Sequence, residues 1–77
     1  MAVTVYSTNM CPWCVKAKEF LKQNNIAFEE KNVSENIESL QEMEDKSGQR
    51  GVPVIDINGT IIIGFDRDAI KAALKLK

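Results

Sequence analysis

The 77-residue chain contains two cysteines, Cys11 and Cys14, with Pro12 and Trp13 between them. Such a C-x-x-C pair can bind a metal, form a structural cross-link or cycle between dithiol and disulfide. A zinc site needs four ligands, and the chain has no other cysteine and no histidine, so two subunits would have to share the metal. A structural disulfide here would close a very short loop and gain little stability. We therefore favour a cycling dithiol over the two other readings.

The cysteine pair lies where a predicted strand is followed by a predicted helix. Val3–Ser7 alternates β-branched and aromatic residues, and a helical pattern runs from Pro12 to about Asn24. At a helix N-terminus a thiol meets unpaired backbone N–H groups and the positive end of the helix dipole, and in such motifs its pKa falls to roughly 3.5–7.5. This predicts Cys11 as the nucleophile. Cys14, one turn further and held against the core, is predicted to resolve the mixed disulfide.

Two residues support the pair. Pro12 suits the first helical turn, because its missing N–H would have no partner there. Trp13 is the only tryptophan of the chain. A single tryptophan is commonly part of the core, but between two cysteines at a helix start we expect it to be half exposed and to form an apolar rim for a partner.

The remaining elements must hold this pair in place. Ile26–Asn32 is predicted as a second strand, and a second helix is predicted with Ser34 as its N-cap and an end near Gly48. A hairpin follows, because two β-branched runs, 52–57 and 60–63, are joined by Asn58-Gly59, a pair typical of a type I′ turn. The last helix is predicted to begin at its N-cap Asp66. Its predicted apolar face is formed by Ala69, Ile70, Ala73, Leu74 and Leu76, and its C-terminal end has the basic residues Lys71, Lys75 and Lys77.

The order β-α-β-α-β-β-α predicts an α/β fold in one domain spanning residues 1–77. A parallel βαβ unit followed by an antiparallel hairpin gives a mixed four-stranded sheet with helices on both faces.

Composition narrows the function. The net charge of −1 offers no basic surface for nucleic acid. The first residues lack the pattern of a signal peptide, and no apolar run could cross a membrane. We expect a cytoplasmic protein, a monomer, that binds neither nucleic acid nor membrane. In a reducing cytoplasm a structural disulfide would be unusual.

Along nearly its whole length the sequence resembles the thioredoxin superfamily, and its glutaredoxin branch most closely. Cys11-Pro12-Trp13-Cys14 differs from the common glutaredoxin motif in having Trp where Tyr is usual. Residues 49–53, Gln-Arg-Gly-Val-Pro, resemble the loop before the third strand. This resemblance implies a cis Pro53 beside the sulfurs and a Val52 backbone that pairs with a bound thiol substrate.

Residues 63–66, Ile-Gly-Phe-Asp, resemble the segment that receives the γ-glutamyl end of glutathione. The resemblance implies that the helix N-terminus binds the carboxylate and that Asp66 meets the ammonium. Asp66 can equally be only an N-cap. The chain departs from the family in having Thr8 where many glutaredoxins have a lysine that holds the glycyl carboxylate, Gly51 in place of Thr, and Phe65 where Ser or Cys is common.

The resemblance implies a dithiol thiol–disulfide oxidoreductase, with glutathione as co-substrate, no tightly bound cofactor and no metal. Its partners would be disulfide-bearing or glutathionylated proteins. The Gly64-Phe65-Asp66 segment also resembles the small redoxins that thioredoxin reductase reduces and that serve ribonucleotide reductase. A carrier dimer that holds iron–sulfur or zinc through Cys11 stays open as a different class. The implied glutathione- or substrate-binding residues are Thr8, Gln49, Arg50, Val52, Pro53, Gly64, Phe65 and Asp66.

Overall fold

The computed structural model describes residues 2–75, and the order of its elements is the predicted one. Leu76 and Lys77, predicted as the end of the last helix, lie outside the described residues. The elements are β1 (Val3–Ser7), α1 (Pro12–Gln23), β2 (Glu29–Asn32), α2 (Ile37–Ser47), β3 (Val54–Ile57), β4 (Thr60–Ile63) and α3 (Arg67–Leu74).

The four strands form one mixed sheet in the order β2-β1-β3-β4. β1 runs parallel to β2, with Val5 opposite Glu30, and antiparallel to β3, with Val5 opposite Ile55. β3 and β4 form the predicted hairpin, whose turn residues Asn58 and Gly59 have φ angles of 53° and 95°. Positive φ at both turn positions is what a type I′ turn requires, so the Asn-Gly signal correctly predicted the hairpin.

The helices cover both faces of the sheet, as predicted. On one face α1 and α3 pack against a cluster formed by Val3, Val5, Ala17, Phe20, Leu21, Ile55, Ile57, Ile62, Ile70 and Leu74. On the other face α2 packs against a smaller cluster formed by Tyr6, Val33, Met43 and Val54. β1 and β3 contribute side chains to both clusters, so the strand that leads to the cysteine pair is fixed from both sides.

The predicted starts of β2 and α2 were wrong. β2 begins at Glu29 rather than Ile26, because the N–H of Ile26 closes the end of α1 by donating to the carbonyl of Leu21 at 2.9 Å. The N-cap of α2 is Asn36, whose Oδ1 accepts from the N–H of Ser39 at 3.1 Å. Ser34, the predicted cap, instead bonds with Asn32 in the preceding turn.

The other helix ends follow the sequence signals. Gly48 ends α2 with a φ of 74°, a conformation that favours glycine. Asp66 caps α3, as predicted, by accepting from the N–H of Ala69 at 3.0 Å. β3 begins at Val54, two residues later than predicted, because Val52 and Pro53 belong to a loop that lies beside Trp13. Within residues 2–75 no helix is both long and apolar enough to cross a bilayer.

Candidate functional site

The cysteine pair lies at the N-terminus of α1, as predicted. Cys11 is the N-cap and partly exposed, whereas Cys14 in the first turn is only 1% exposed. The two sulfurs form a disulfide, with the Cα atoms 5.2 Å apart. The backbone N–H of Cys14 donates to Sγ of Cys11 at 3.1 Å. A thiolate on Cys11 would meet this N–H and the positive end of a 12-residue helix, which lowers the free energy of the charged form.

Exposed apolar side chains surround the pair. Trp13 is 57% exposed and Met10 is 92% exposed, so the prediction of an exposed tryptophan is confirmed. The ammonium of Lys16, one turn along α1, lies 4.5 Å from the Trp13 ring centroid. Neither Met10 nor Lys16 was predicted as part of the site. The spacing of three residues between Trp13 and Lys16 on a helix is the signal that could have found the latter.

An apolar pocket of about 320 Å³ opens beside the pair and is lined by Trp13, Val52, Pro53, Gly64 and Phe65. The Val52–Pro53 bond is cis, as the resemblance implied. The N–H of Gly64 donates to the carbonyl of Pro53 at 2.8 Å, which ties the loop before β3 to the segment after β4. Val52, Pro53, Gly64 and Phe65 were all predicted as substrate-binding, and the structure brings them together.

Phe65 forms the far wall of this pocket. Its ring centroid lies 6.5 Å from that of Trp13 and 6.0 Å from that of Phe20, the second contact being edge to face. Asp66 follows at the cap of α3, in a neighbouring open groove of about 670 Å³. That groove is lined by Ile63, Phe65, Asp66, Arg67, Asp68 and Lys71.

Besides Asp66, three predicted binding residues lie outside the apolar pocket. The side-chain carbonyl of Gln49 accepts from the N–H of Gly51, and its amide donates to the carbonyl of Gly51 at 3.1 Å. Arg50 pairs with Glu44 at 2.6 Å. Thr8, half-buried at the end of β1, is not among the pocket-lining residues. Gln49 therefore shapes its own loop, while Arg50 is held against α2.

A polar network lies on the opposite face of the sheet, under α2. The buried Tyr6 hydroxyl bonds to Glu42 and also accepts from Lys46 at 3.0 Å, while Lys46 pairs with Asp56 at 2.7 Å. Burial raises the pKa of Tyr6, and the hydrogen bond to Asp56 raises the pKa of Lys46. Hydrogen bonds from Lys31 and Tyr6 lower the pKa of Glu42. This network joins α2 to β1, β2 and β3 and takes no part in the site.

A second network ties α1 to the sheet behind the cysteine pair. Glu30 accepts from the buried Ser7 hydroxyl and from Lys18, each at 2.7 Å. These two hydrogen bonds lower the pKa of Glu30. Lys18 follows Cys14 by one turn, so this contact fixes the helix segment that carries the buried cysteine.

The chain is similar to known proteins along most of its length. The glutaredoxin family model matches residues 3–62. A glutaredoxin-like 8.6 kDa protein of the rubredoxin operon in Clostridium pasteurianum is 48% identical over 88% of this chain and 91% of its own length.

Two solved structures share the fold. The thioredoxin-like protein BC3987, as a T8A mutant, has a TM-score of 0.92 at 31% identity, covering 97% of this chain and 96% of the other. The glutaredoxin-like NrdH-redoxin from Escherichia coli, described as having a thioredoxin-like activity profile, has a TM-score of 0.85 at 28% identity, covering 94% and 93% of the two chains. The fold is thioredoxin-like, and on the strength of the family match and of the Clostridium relative the chain belongs to the glutaredoxin family.

Proposed function

We propose that this chain is a dithiol oxidoreductase that reduces protein disulfides or glutathione mixed disulfides. The thiolate of Cys11 attacks one sulfur of the target disulfide, and the other sulfur leaves as a thiolate that takes up a proton. The thiolate of Cys14 then attacks Sγ of Cys11, which breaks the mixed disulfide and releases the second target thiol. The product is the Cys11–Cys14 disulfide, and two electrons have passed to the target.

The observation that carries this proposal is the unequal placement of the two sulfurs. Cys11 stands at the helix N-terminus and accepts the N–H of Cys14, while Cys14 is 1% exposed. An exposed thiolate can meet a substrate, whereas a buried thiol is protected from it and reacts only after Cys11 has brought the mixed disulfide within reach. The disulfide between them is the end state of this cycle.

The apolar pocket supports the same role. A substrate sulfur bonded to Cys11 would have Trp13 on one side and the cis loop on the other. The backbone of Val52 is free of any strand, since β3 begins at Val54, and is available to pair with the backbone of a bound thiol. We infer that Val52, Pro53, Gly64 and Phe65 contact the residue next to the substrate cysteine.

Glutathione is the electron donor that the family suggests. Its γ-glutamyl end would lie at the N-terminus of α3, where Asp66 could meet the ammonium. Its glycyl carboxylate would lose the usual lysine contact, because Thr8 offers only a hydroxyl. Phe65 would add a large ring to the pocket wall.

Thioredoxin reductase is the second candidate donor, and one observation favours it. Phe65 stands where many glutaredoxins have a small residue, and its ring packs against Trp13 and Phe20. This ring enlarges the apolar surface beside the cysteine pair, which suits the binding of a protein partner. The similar NrdH-redoxin, with its thioredoxin-like activity profile, supports this reading. A ribonucleotide reductase would be the matching acceptor.

The test compares donors and variants together. Reduction of a glutathione mixed disulfide is measured with NADPH, glutathione and glutathione reductase, and reduction of a protein disulfide with NADPH and thioredoxin reductase. The proposal expects turnover in at least one assay and none for Cys11→Ser. Full activity of Cys11→Ser would refute the proposal. Turnover in one assay alone identifies the donor.

A carrier function would give a different result. Within residues 2–75 no group of three or more His, Cys, Asp or Glu side chains could hold a metal ion, so a cluster would need two chains joined through Cys11. Visible absorbance or bound metal in freshly purified protein, with a dimer lost in Cys11→Ser, would support the carrier.

A further inference from the structure

Three aromatic rings form a row in which Phe65, just before α3, lies between Trp13 and Phe20 of α1, with a cation beside each end ring. Trp13 packs on Phe65 at 6.5 Å, and Phe65 packs on Phe20 at 6.0 Å. Lys16 lies 4.5 Å from the Trp13 centroid, and the guanidinium carbon of Arg67 lies 5.5 Å from the Phe20 centroid. We call these five residues the aromatic row.

The two cations of the row are available to a partner. Both are exposed, and neither has an ion pair with another of residues 2–75. One acidic side chain, Glu19, lines the same shallow groove as Lys16 and Arg67, which leaves the groove with a net charge of +1. Of the nearby acids, Asp66 is engaged as the cap of α3, and Asp68 lies in the next groove, which Arg67 and Lys71 also line.

We propose that the aromatic row is the docking surface for protein disulfides whose reactive cysteine is flanked by an apolar residue and a carboxylate. Trp13 is two residues from Cys11 in the chain and lines one pocket with Phe65, so a segment that delivers its sulfur to Cys11 would pass beside these two rings. Its apolar side chain would cover the rings of Trp13 and Phe65, and its carboxylate would pair with Lys16 or Arg67. This inference rests on the proposed function and adds the chemistry of the preferred substrate.

The expected size of the preference follows from the exposure of the charges. Charges at the rim of a contact act mainly on the rate of association and are screened by salt. An exposed ion pair is worth a factor of about two to five in an equilibrium or rate. The apolar contact alone would not distinguish an acidic from a basic neighbour, so the charge preference isolates the role of Lys16 and Arg67.

The experiment uses three short peptides that differ at one position. Each has a leucine before its single cysteine, and the preceding residue is Asp, Asn or Lys. The cysteine carries a neutral 2-thiopyridyl group as a mixed disulfide. Cys11 attacks the peptide sulfur, and the thiopyridyl leaves as 2-thiopyridone with one proton. Cys14 then frees the peptide thiol, and the full-length reduced chain becomes the disulfide.

The rate of 2-thiopyridone release is measured at low and high salt. The proposal expects the order Asp, Asn, Lys, with a factor of about two to five between neighbours at low salt and smaller differences at high salt. Lys16→Glu and Arg67→Glu should each weaken or reverse this order. Glu19→Gln should raise the rate with the Asp peptide, because it removes the one acid of the groove.

Lys22→Glu is the matched control. Lys22 is also an exposed lysine of α1, but it lies toward Glu30, on the side of the helix away from the groove. It makes the same change in total charge and should leave the order of the peptides unchanged. Equal rates for the three peptides, or an equal effect of Lys22→Glu and Lys16→Glu, would overturn the inference while the proposed function stands. Failure of all three peptides to react would instead refute the proposed function.

Discussion

The backbone N–H of Cys14 donates a hydrogen bond to Sγ of Cys11 across 3.1 Å. This contact makes two chemically identical side chains unequal. Cys11 gains an N–H donor and the positive end of α1, while Cys14 lies among the buried residues at 1% exposure. Because thiol exchange needs a thiolate that the other sulfur can reach, we expect Cys11 to make the first attack and Cys14 the second.

The first prediction concerns the reactivity of the two thiols. In the reduced protein at neutral pH, iodoacetamide should modify Cys11 at least about tenfold faster than Cys14, because thiolate formation and exposure both favour Cys11. Mass mapping of the alkylated peptides after a series of short reaction times measures the two rates. In urea-unfolded protein the rates should become similar. A native protein in which both thiols react equally would contradict the assigned roles.

The second prediction concerns Thr8, which stands where many glutaredoxins have a lysine. Thr8→Lys should lower the KM for a glutathione mixed disulfide about threefold to tenfold, because it adds a charge-assisted hydrogen bond to the glycyl carboxylate. Thr8→Gln, a polar residue of similar reach without the charge, is the control and should leave KM near that of the unaltered chain. Steady-state kinetics in the coupled glutathione assay gives both values. An unchanged KM in Thr8→Lys would mean that glutathione does not bind with its glycyl end at this position.

The third prediction separates two roles of Asp66. Asp66→Ala should lower the free energy of unfolding by about 1 kcal/mol, because it removes the side chain that caps α3. Asp66→Asn keeps a cap and should retain most of that stability. If Asp66 also meets the glutathione ammonium, Asp66→Asn will raise the KM for a glutathione mixed disulfide. Urea unfolding and the coupled assay give the two readouts. An unaltered KM in Asp66→Asn would leave only the capping role.

The fourth prediction concerns acid stability. Hydrogen bonds from Lys31 and Tyr6 lower the pKa of Glu42 in the folded state. A carboxylate of this kind binds fewer protons folded than unfolded. Its stabilisation is therefore present above the usual glutamate pKa of 4.5 and is lost as the pH falls through the lower folded pKa.

Glu42→Gln removes this contribution, so its unfolding free energy should change less than that of the unaltered chain between about pH 6 and pH 3. Glu38→Gln, one turn earlier on α2, controls for the loss of a surface carboxylate. Urea unfolding at several pH values measures the slopes. If Glu42→Gln and the unaltered chain have the same slope, then the pairing of Glu42 with Lys31 and Tyr6 does not contribute to acid stability.

Local signals in the sequence predicted most of the fold. Asn58-Gly59 predicted the hairpin because few residue pairs accept positive φ at both turn positions. The start of α1 followed from Pro12 and the helical spacing behind it. The cap of α2 was missed because Ser34 and Asn36 are both good capping residues, and the turn around Asn32 engages Ser34.

Part of the site could also be predicted, because some of its residues belong to local sequence motifs. The cysteine pair is a local motif, and the family resemblance supplied Pro53, Gly64 and Phe65, which the fold brings beside it. The hydrogen-bond partners of Tyr6, Glu42 and Lys46, come from α2, far along the chain, and no local pattern reports such contacts. The contact between Phe65 and Phe20 likewise depends on how α1 and α3 pack together.

In the proposed mechanism Cys11 attacks and Cys14 resolves. The most direct measurement is to react reduced Cys14→Ser and reduced Cys11→Ser with the 2-thiopyridyl peptide that carries Asp and to map any stable mixed disulfide by mass spectrometry. We expect Cys14→Ser to accumulate one peptide per chain, bonded to Cys11, and Cys11→Ser to accumulate almost none. A peptide trapped on Cys14 in Cys11→Ser at a comparable rate would contradict this mechanism.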